Sequence, residues 1–558
     1  MSERSFLRTG SAGAMRCVAL IGVACLLAGV PVQAQTSAVD ELTTATPIKH
    51  LVVIFDENVS FDHYFATYPV ATNPPGEPAF HAAAGTPAAD TLSAAHLLSN
   101  NPNLTNPGNG SNANSFLGSI AGDPFRLDRT QASTADQNHA YTAEEQAYDG
   151  SKADLFPRFT GKGTPGAVGS FATTAQVMGY YDGNTVTALW RYAQHFAMSD
   201  RAYTDTYGPS TPGALEVVSG QTNGMLIAAT TQQPSTVALP SFYVKDGQGD
   251  YTMINDVDPT FDNCSNQANL ANMTGKNIGD LLTAANVPWG GFMGGFDLTV
   301  TNPNGTTGCL RSTQSPVVAS YVPDYIPHHN WFAYYVSTSN PSHVRPSSVA
   351  AIGSMHDPAN HEYDLNDFYA AVKAGNFPAV SYVKPAAFQD AHAGYSDPLD
   401  EQRSLVTLVN FIEHQPGWRN TAIIITYDDS DGWYDHAAAP VTSSSYDGQA
   451  DALNGPGVCG SGAQQPGVAG KPVNGRCGPG TRLPFLVVSP FARADAIAHD
   501  RITLASVPRF IEDNWLHGQR LGGGSFDATA GSIASLFDFQ APPRPPLFLD
   551  PATGDPVK

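Results

Sequence analysis

Oxygen-bearing side chains crowd the ends of short apolar runs in this chain. Residues 48–55 are followed by Asp56-Glu57-Asn58, and residues 422–427 by Asp428-Asp429-Ser430-Asp431-Gly432. A third run, 379–383, leads after a few residues to Gln389-Asp390-Ala391-His392. Glu57, Asn58, Asp428 and Asp429 supply carboxylate and amide oxygens, the donors that hard divalent cations prefer. Each alone is an ordinary turn former whose side chain is satisfied by nearby backbone. Three acids and an Asn at two such ends, with His392 arriving from a third, form a different pattern. Carboxylates held that close repel one another unless a cation lies between them.

A hydroxyl pair stands in Gly208-Pro209-Ser210-Thr211-Pro212-Gly213, ahead of a helix expected over 214–219. The free N–H groups and positive dipole end of a helix N-terminus suit a phosphate. The plainer role for Ser210 or Thr211 is an N-cap, worth ~1 kcal/mol. No G-x-S-x-G elbow surrounds Ser210, so the usual serine-hydrolase arrangement is not expected.

Four segments, 48–55, 379–383, 422–427 and 485–489, read as buried strands, each a short β-branched run bounded by turn residues. Helical patterns at 365–374 and 404–414 lie between them. This alternation predicts an α/β fold with a central, mostly parallel sheet and helices on both faces. Ligands of such sheets sit at the carboxyl ends of strands, where the acidic pairs fall. Stretches 72–131 and 443–482, rich in Gly, Pro, Asn, Ser and Ala, read as long loop excursions from one domain spanning 35–558.

The chain has 558 residues, 42% hydrophobic and 14% charged, which excludes a disordered protein. Lys and Arg total 28 against 50 Asp and Glu, leaving no basic stripe for nucleic acid. Arg4, Arg8 and Arg16 flank an apolar run over 17–30, and Val32 and Ala34 suit signal peptidase. Residues 1–34 are therefore expected to be a signal peptide, the run being short of the ~20 residues of a span. The mature chain is expected to be periplasmic or secreted, without a transmembrane segment. Its four cysteines, Cys264, Cys309, Cys459 and Cys477, then read as two disulfides. Proximity favours 264–309 and 459–477 among the three possible pairings, and the lack of a C-x-x-C pair speaks against zinc.

Longer motifs carry a resemblance. Glu57-Asn58-Val59-Ser60-Phe61-Asp62-His63-Tyr64-Phe65, Gly208-Pro209-Ser210-Thr211-Pro212 and Tyr427-Asp428-Asp429-Ser430-Asp431-Gly432-Trp433-Tyr434-Asp435-His436 together resemble the bacterial phospholipase C/acid phosphatase family. Asn138-His139, Pro327-His328-His329, Asp390-Ala391-His392 and Phe510-Ile511-Glu512-Asp513-Asn514-Trp515 follow the family order. The resemblance implies an alkaline-phosphatase-like fold that hydrolyses phosphoesters. It implies Glu57, Asn58, Asp428 and Asp429 as ligands of one divalent cation, all-oxygen ligation suiting Mg²⁺, Ca²⁺ or Mn²⁺. It implies Ser210 as the nucleophile, with His139, His329 and His392 around the transferred phosphoryl group and His328 as the alternative to His329. Phospholipase C members continue their nucleophile motif with Asn and Arg where this chain has Gly213 and Ala214, and many carry further β-rich domains. The expectation is thus a secreted acid phosphatase acting on phosphomonoesters through a phosphoserine. The alternatives are a phospholipase C acting on phosphatidylcholine-like lipids and a noncatalytic binding protein on the same fold.

Overall fold

Strands buried on both faces of a sheet carry unbroken apolar runs rather than alternating ones. The computed structural model of the chain, which describes residues 39–110, 122–167, 169–228 and 242–557, shows such strands at its centre. The expected signal peptide at 1–34 lies outside the described residues. The strands of the main sheet are β1 (His50–Asp56), β2 (Ala197–Tyr203), β3 (Trp289–Met293), β4 (Glu362–Asp364), β5 (Val380–Lys384), β6 (Thr421–Tyr427), β7 (Arg482–Val488), β8 (Ala496–Ala498) and β9 (Ile502–Thr503). They lie in the order β4-β3-β5-β1-β6-β7-β2-β8, with β9 also paired to β2. Every residue of β1, β5, β6 and β7 is buried.

Strands β4, β3, β5, β1 and β6 run parallel. The segment read at 485–489 belongs to β7, which runs antiparallel to both β6 and β2 within the mostly parallel sheet. Parallel neighbours need a crossover, usually a helix, and no helix lies between residues 428 and 481. The loop-rich excursion there returns the chain in the opposite direction. Pro484 sits inside β7 where the register with β2 shifts between Leu483 and Phe485, a bulge being a place where a sheet tolerates proline.

The helices that bear on the site are α1 (Tyr141–Tyr148), α2 (Ser210–Ser219), α3 (Leu365–Lys373) and α4 (Pro398–Glu413). Helices cover both faces, as the register shows. Val53 lies beside Tyr382, and Asp56 beside Tyr427. Residues 53 and 56 are an odd number apart, so they point to opposite faces. On one face the Tyr382 hydroxyl donates to the Val217 carbonyl of α2 at 3.0 Å. On the other, the Tyr427 hydroxyl donates to Glu401 of α4.

Two helices start earlier than the apolar periodicity alone predicts. Helix α4 begins at Pro398, where the Asp397 side chain accepts from the Leu399 and Asp400 amides, an Asp-Pro start signal. Helix α2 begins at Ser210 rather than 214, with Pro209 as its N-cap residue, and Gly220 at φ 58° closes its C-terminus. Disulfides join Cys264 to Cys309 and Cys459 to Cys477. A five-stranded sheet built from short strands between Asn223 and Met273 had no counterpart in the sequence reading. Among the described residues no helix is long and apolar enough to cross a membrane.

Candidate active site

Strands β5, β1 and β6 are adjacent and parallel, so their carboxyl ends meet. The backbone knits them there: the Glu57 amide donates to the Asp390 carbonyl at 2.7 Å and the Val59 amide to the Asp429 carbonyl at 2.9 Å. Asn58 adopts φ 53° to make the turn, a left-handed conformation that Asn tolerates better than most residues. Helix α2 aims its first residue at this junction. Gly213 permits the approach, because a Cβ there would lie 2.2 Å from the Asp428 carbonyl oxygen.

Ser210 Oγ lies 3.0 Å from Glu57 Oε2, 3.2 Å from Asp429 Oδ2 and 3.3 Å from Asn58 Oδ1. Pro209 and not Ser210 is the N-cap residue of α2, and the Ser210 hydroxyl turns to the acids instead. Asp428 completes the nest from the side. Its Oδ1 accepts from the Asn58 amide at 2.9 Å and from the Asp429 amide at 2.8 Å, while its buried Oδ2 has no hydrogen-bond partner. The Thr211 amide donates to Asp256 Oδ1 at 2.9 Å.

These oxygens fit a cation. One hydroxyl proton cannot serve three acceptors. Burial pushes the Glu57 carboxyl up and neighbouring Asp428 pushes it further, against the pull of Lys384. Burial and Asp428 likewise raise Asp429, against His139. The Asn58 amide has two possible orientations. In one its NH2 donates to Asp428 Oδ1 at 3.2 Å and Glu57 Oε2 at 2.6 Å, and in the other the NH2 faces His392. The amide end facing His392 lies 3.2 Å from Nε2. Burial lowers His392 to about 4, and its Nδ1 hydrogen-bonds to the Ala393 carbonyl at 2.5 Å. Its Nε2 is then an acceptor for the Asn58 NH2, which leaves the amide oxygen pointing into the acid nest. Positive charge between these oxygens makes that orientation favourable.

The three expected histidines ring the nest. His139 Nδ1 is held 3.1 Å from Asp431 Oδ1 and 3.5 Å from Asp136 Oδ1, and its Nε2 lies 3.5 Å from the Asn58 amide. Burial works against a charge on His139, but Asp429 and Asp431 raise its pKa well above the usual value. His329 Nδ1 lies 3.1 Å from Glu57 Oε1, and burial with the charges of His328 and Lys384 keeps it neutral. His328 turns to Asp258 Oδ1, 3.3 Å away, so His329 is the member of the pair that touches the nest. The His392 ring stacks on Tyr395 at 4.2 Å.

Several residues here were not singled out from sequence. Lys384, at the end of β5, pairs with Glu57 Oε1 and donates to the Phe55 carbonyl at 3.2 Å. A lysine ending a strand of Val, Ser and Tyr was the available signal. Asp390, Asp136 and Asp431 act on the histidines, and only the fold reveals which acid meets which ring. Among the described residues, Glu57, His329 and Asp390 form one cluster able to hold a metal, and Asp136, His139, His392 and Asp431 another.

The helix-start serine and the acids thus meet at the carboxyl ends of adjacent parallel strands. The Phosphoesterase family model matches residues 48–516, and the chain belongs to that family. Phospholipase C A of Mycobacterium tuberculosis is 23% identical over 515 residues, covering 89% of this chain and 79% of that protein. Phospholipase C B of the same organism is 28% identical over 183 residues, so the match spans 32% of this chain and only 33% of that relative. Hemolytic phospholipase C of Pseudomonas aeruginosa is 26% identical over 176 residues, 30% of this chain and 22% of that protein. Among solved structures, a protein in the alkaline phosphatase superfamily from Vibrio parahaemolyticus overlaps 62% of this chain and 64% of its own, with 12% identity and a TM-score of 0.26.

Proposed function

We propose that this chain hydrolyses phosphoesters through a phosphoserine on Ser210. The observation that carries the reading is the convergence of Glu57, Asn58 and Asp429 on Ser210 Oγ within 3.0–3.3 Å. Glu57, Asn58, Asp428 and Asp429 would hold one divalent cation, with Mg²⁺, Ca²⁺ and Mn²⁺ suited to oxygen ligands. Such an ion supplies a lowered hydroxyl pKa and neutralises phosphoryl charge. Ser210 attacks phosphorus, and its proton leaves toward Glu57 Oε2, 3.0 Å away. At the N-terminus of α2 the Thr211 amide is engaged by Asp256 and Pro212 has none, so the Ser210 amide is the one left to face the phosphoryl oxygens. As the Oγ–P bond forms and the ester P–O bond breaks, His139 Nε2 donates a proton to the departing oxygen. His392 and His329 orient the groups around them. His139, now neutral, takes a proton from the water that attacks the phosphoserine, the Oγ–P bond breaks, Ser210 recovers its proton from Glu57, and the phosphoryl product leaves.

Two substrate classes have support. Relatives named phospholipase C favour a phosphodiester of the phosphatidylcholine type. Gly213 and Ala214, standing where the resemblance leads one to expect Asn and Arg, favour a phosphomonoester and an acid phosphatase. The two disulfides and the leader expected at 1–34 support a periplasmic or secreted protein. The test is turnover of p-nitrophenyl phosphate and p-nitrophenylphosphorylcholine across pH by the wild type and Ser210→Ala. The diester reading expects the second substrate to dominate, the monoester reading the first. Wild-type-like turnover by Ser210→Ala would overturn the nucleophile, and turnover of neither would favour a binding protein.

A further inference from the structure

Glu144 lies in the middle of α1 and is fully enclosed, yet both of its carboxylate oxygens leave its own helix. Its Oε2 accepts from the Gly208 amide at 2.9 Å. Its Oε1 accepts from the Ser430 hydroxyl at 2.7 Å. Gly208 stands two residues before Ser210, and Ser430 directly follows Asp429. One carboxylate therefore spans the nucleophile turn and the acid turn. Its helix starts one residue after Ala140, next to His139, and the Glu144 amide is itself fixed to the Ala140 carbonyl at 3.0 Å.

Each turn has ties of its own, the Thr211 amide to Asp256 Oδ1 and the Val59 amide to the Asp429 carbonyl among them, and Glu144 adds one side chain that reaches both. Gly208 adopts φ 125°, and a Cβ there would meet the Ile254 carbonyl at 2.9 Å. The glycine is needed for the path, and a glycine does little to fix its own direction. Its amide needs an anchor, and Glu144 is that anchor. Ser430 Oγ accepts from the Gly432 amide at 3.0 Å, so its single proton is free for Glu144. All donors and acceptors around the carboxylate are matched in this arrangement.

We propose that Glu144 is a positioning residue that sets Ser210 against Asp429 by clamping their two turns together. The inference rests on the reading of Ser210 as nucleophile. Glu144 does not touch the reacting atoms, and its contribution is the distance between the two turns. A misplacement of ~1 Å at a reacting centre costs on the order of 100-fold in rate.

The experiment compares wild type, Glu144→Ala, Glu144→Gln, Ser430→Ala and Ser210→Ala. It uses the full mature chain with p-nitrophenyl phosphate and p-nitrophenylphosphorylcholine, and the better substrate of the wild type is followed. Bound metal per chain, thermal midpoint, kcat and KM are read for each. Glu144→Ala is expected to lose on the order of 100-fold in kcat with KM and metal content near wild type. Glu144→Gln is expected to keep most of the rate, because its amide oxygen can accept from Gly208 while its NH2 donates to Ser430 Oγ. Ser430→Ala, which cuts one arm, should fall between them and decides the matter if Glu144→Ala does not fold. Unchanged kcat per folded molecule in Glu144→Ala, or in Ser430→Ala should that variant alone fold, overturns the clamp. So do equal losses in Gln and Ala, which would assign the effect to charge. A dead Ser210→Ala beside these results keeps the nucleophile reading, and an active one removes that reading instead.

Discussion

Gly213 rests against the backbone of Asp428, where a Cβ on residue 213 would lie 2.2 Å from the carbonyl oxygen and 2.7 Å from the carbonyl carbon. Backbone cannot rotate away as a side-chain tip can, so either α2 or the Asp428 turn must shift. Gly213→Ala is expected to destabilise the protein by about 1–3 kcal/mol, as overpacking does. It should also lower kcat more than tenfold, because Ser210 is one helical turn away. Urea unfolding with steady-state kinetics checks both.

Asp428 offers a cleaner probe of the cation than its neighbours. Asp428→Asn keeps the oxygen that accepts from the Asn58 and Asp429 amides. It replaces the partnerless Oδ2 with an NH2 that repels a cation. The variant should unfold no more easily than the metal-free wild type, because a neutral amide replaces one of three crowded, buried carboxylates. It should carry little metal by elemental analysis and turn over poorly. Full metal content would remove Asp428 from the ligand set.

Lys384 is the buried cation facing Glu57. Lys384→Met leaves Glu57 Oε1 with His329 alone. Breaking a buried pair from one side costs about 3–5 kcal/mol. That loss should appear in chelator-treated protein, and added Mg²⁺ should recover part of it. Equal unfolding midpoints for the chelated variant and wild type would contradict this ledger.

A pH dependence arises away from the site. Burial disfavours charge on His436, but Asp62 and Asp90 raise its pKa to about 10. His436 Nδ1 lies 2.6 Å from Asp62 Oδ2, and Arg482 binds the other Asp62 oxygen at 3.1 Å. A folded-state pKa above the unfolded ~6.5 means the stabilisation is fully present below that value. It is lost as pH rises through about 10. The difference in thermal midpoint between wild type and His436→Gln should therefore be largest at pH 6 and shrink steadily toward pH 10. A difference independent of pH would show that packing, not charge, holds the ring.

The disulfide between Cys459 and Cys477 closes a loop of sequence separation 18 within the long excursion before β7. In the chain-entropy model such a closure is worth roughly 3 kcal/mol. Cys459→Ser with Cys477→Ser should lose about that much in urea. Denatured, unreduced mature wild type should titrate no free thiol.

Much of this arrangement was legible in the residues because strand ends announce themselves. The Val-Ile-Phe run before Glu57 and the Ile-Ile-Ile run before Asp428 are too apolar to lie anywhere but in a covered strand, so the acids after them had to sit at its edge. The direction of β7 was not legible, since an apolar run carries no sign of polarity. The evidence lay in the Gly- and Pro-rich stretch before it, which contains no helix to cross the sheet. Asp397-Pro398 was a readable start for α4 that the apolar periodicity overshadowed. The roles of Lys384, Asp431 and Glu144 were hidden for a different reason, even where the residue itself was in view. Each matters through a partner far away in sequence, and pairing across 286 residues, as between Glu144 and Ser430, leaves no local trace.

The register that sets Asp56 beside Tyr427 also dictates when the centre comes into being. A ribosome delivers β1 early and β6 some 370 residues later, the spacing between Asn58 and Asp428. Until then Glu57 and Asn58 have no acids to face, and β1 has apolar sides without a cover. A nascent chain is thus inert and sticky for most of its synthesis, a state in which aggregation competes with folding. Loss of the segment beyond residue 420 would leave no weakened catalyst behind, only a sheet cut back to β4, β3, β5 and β1 with one edge of β1 bare.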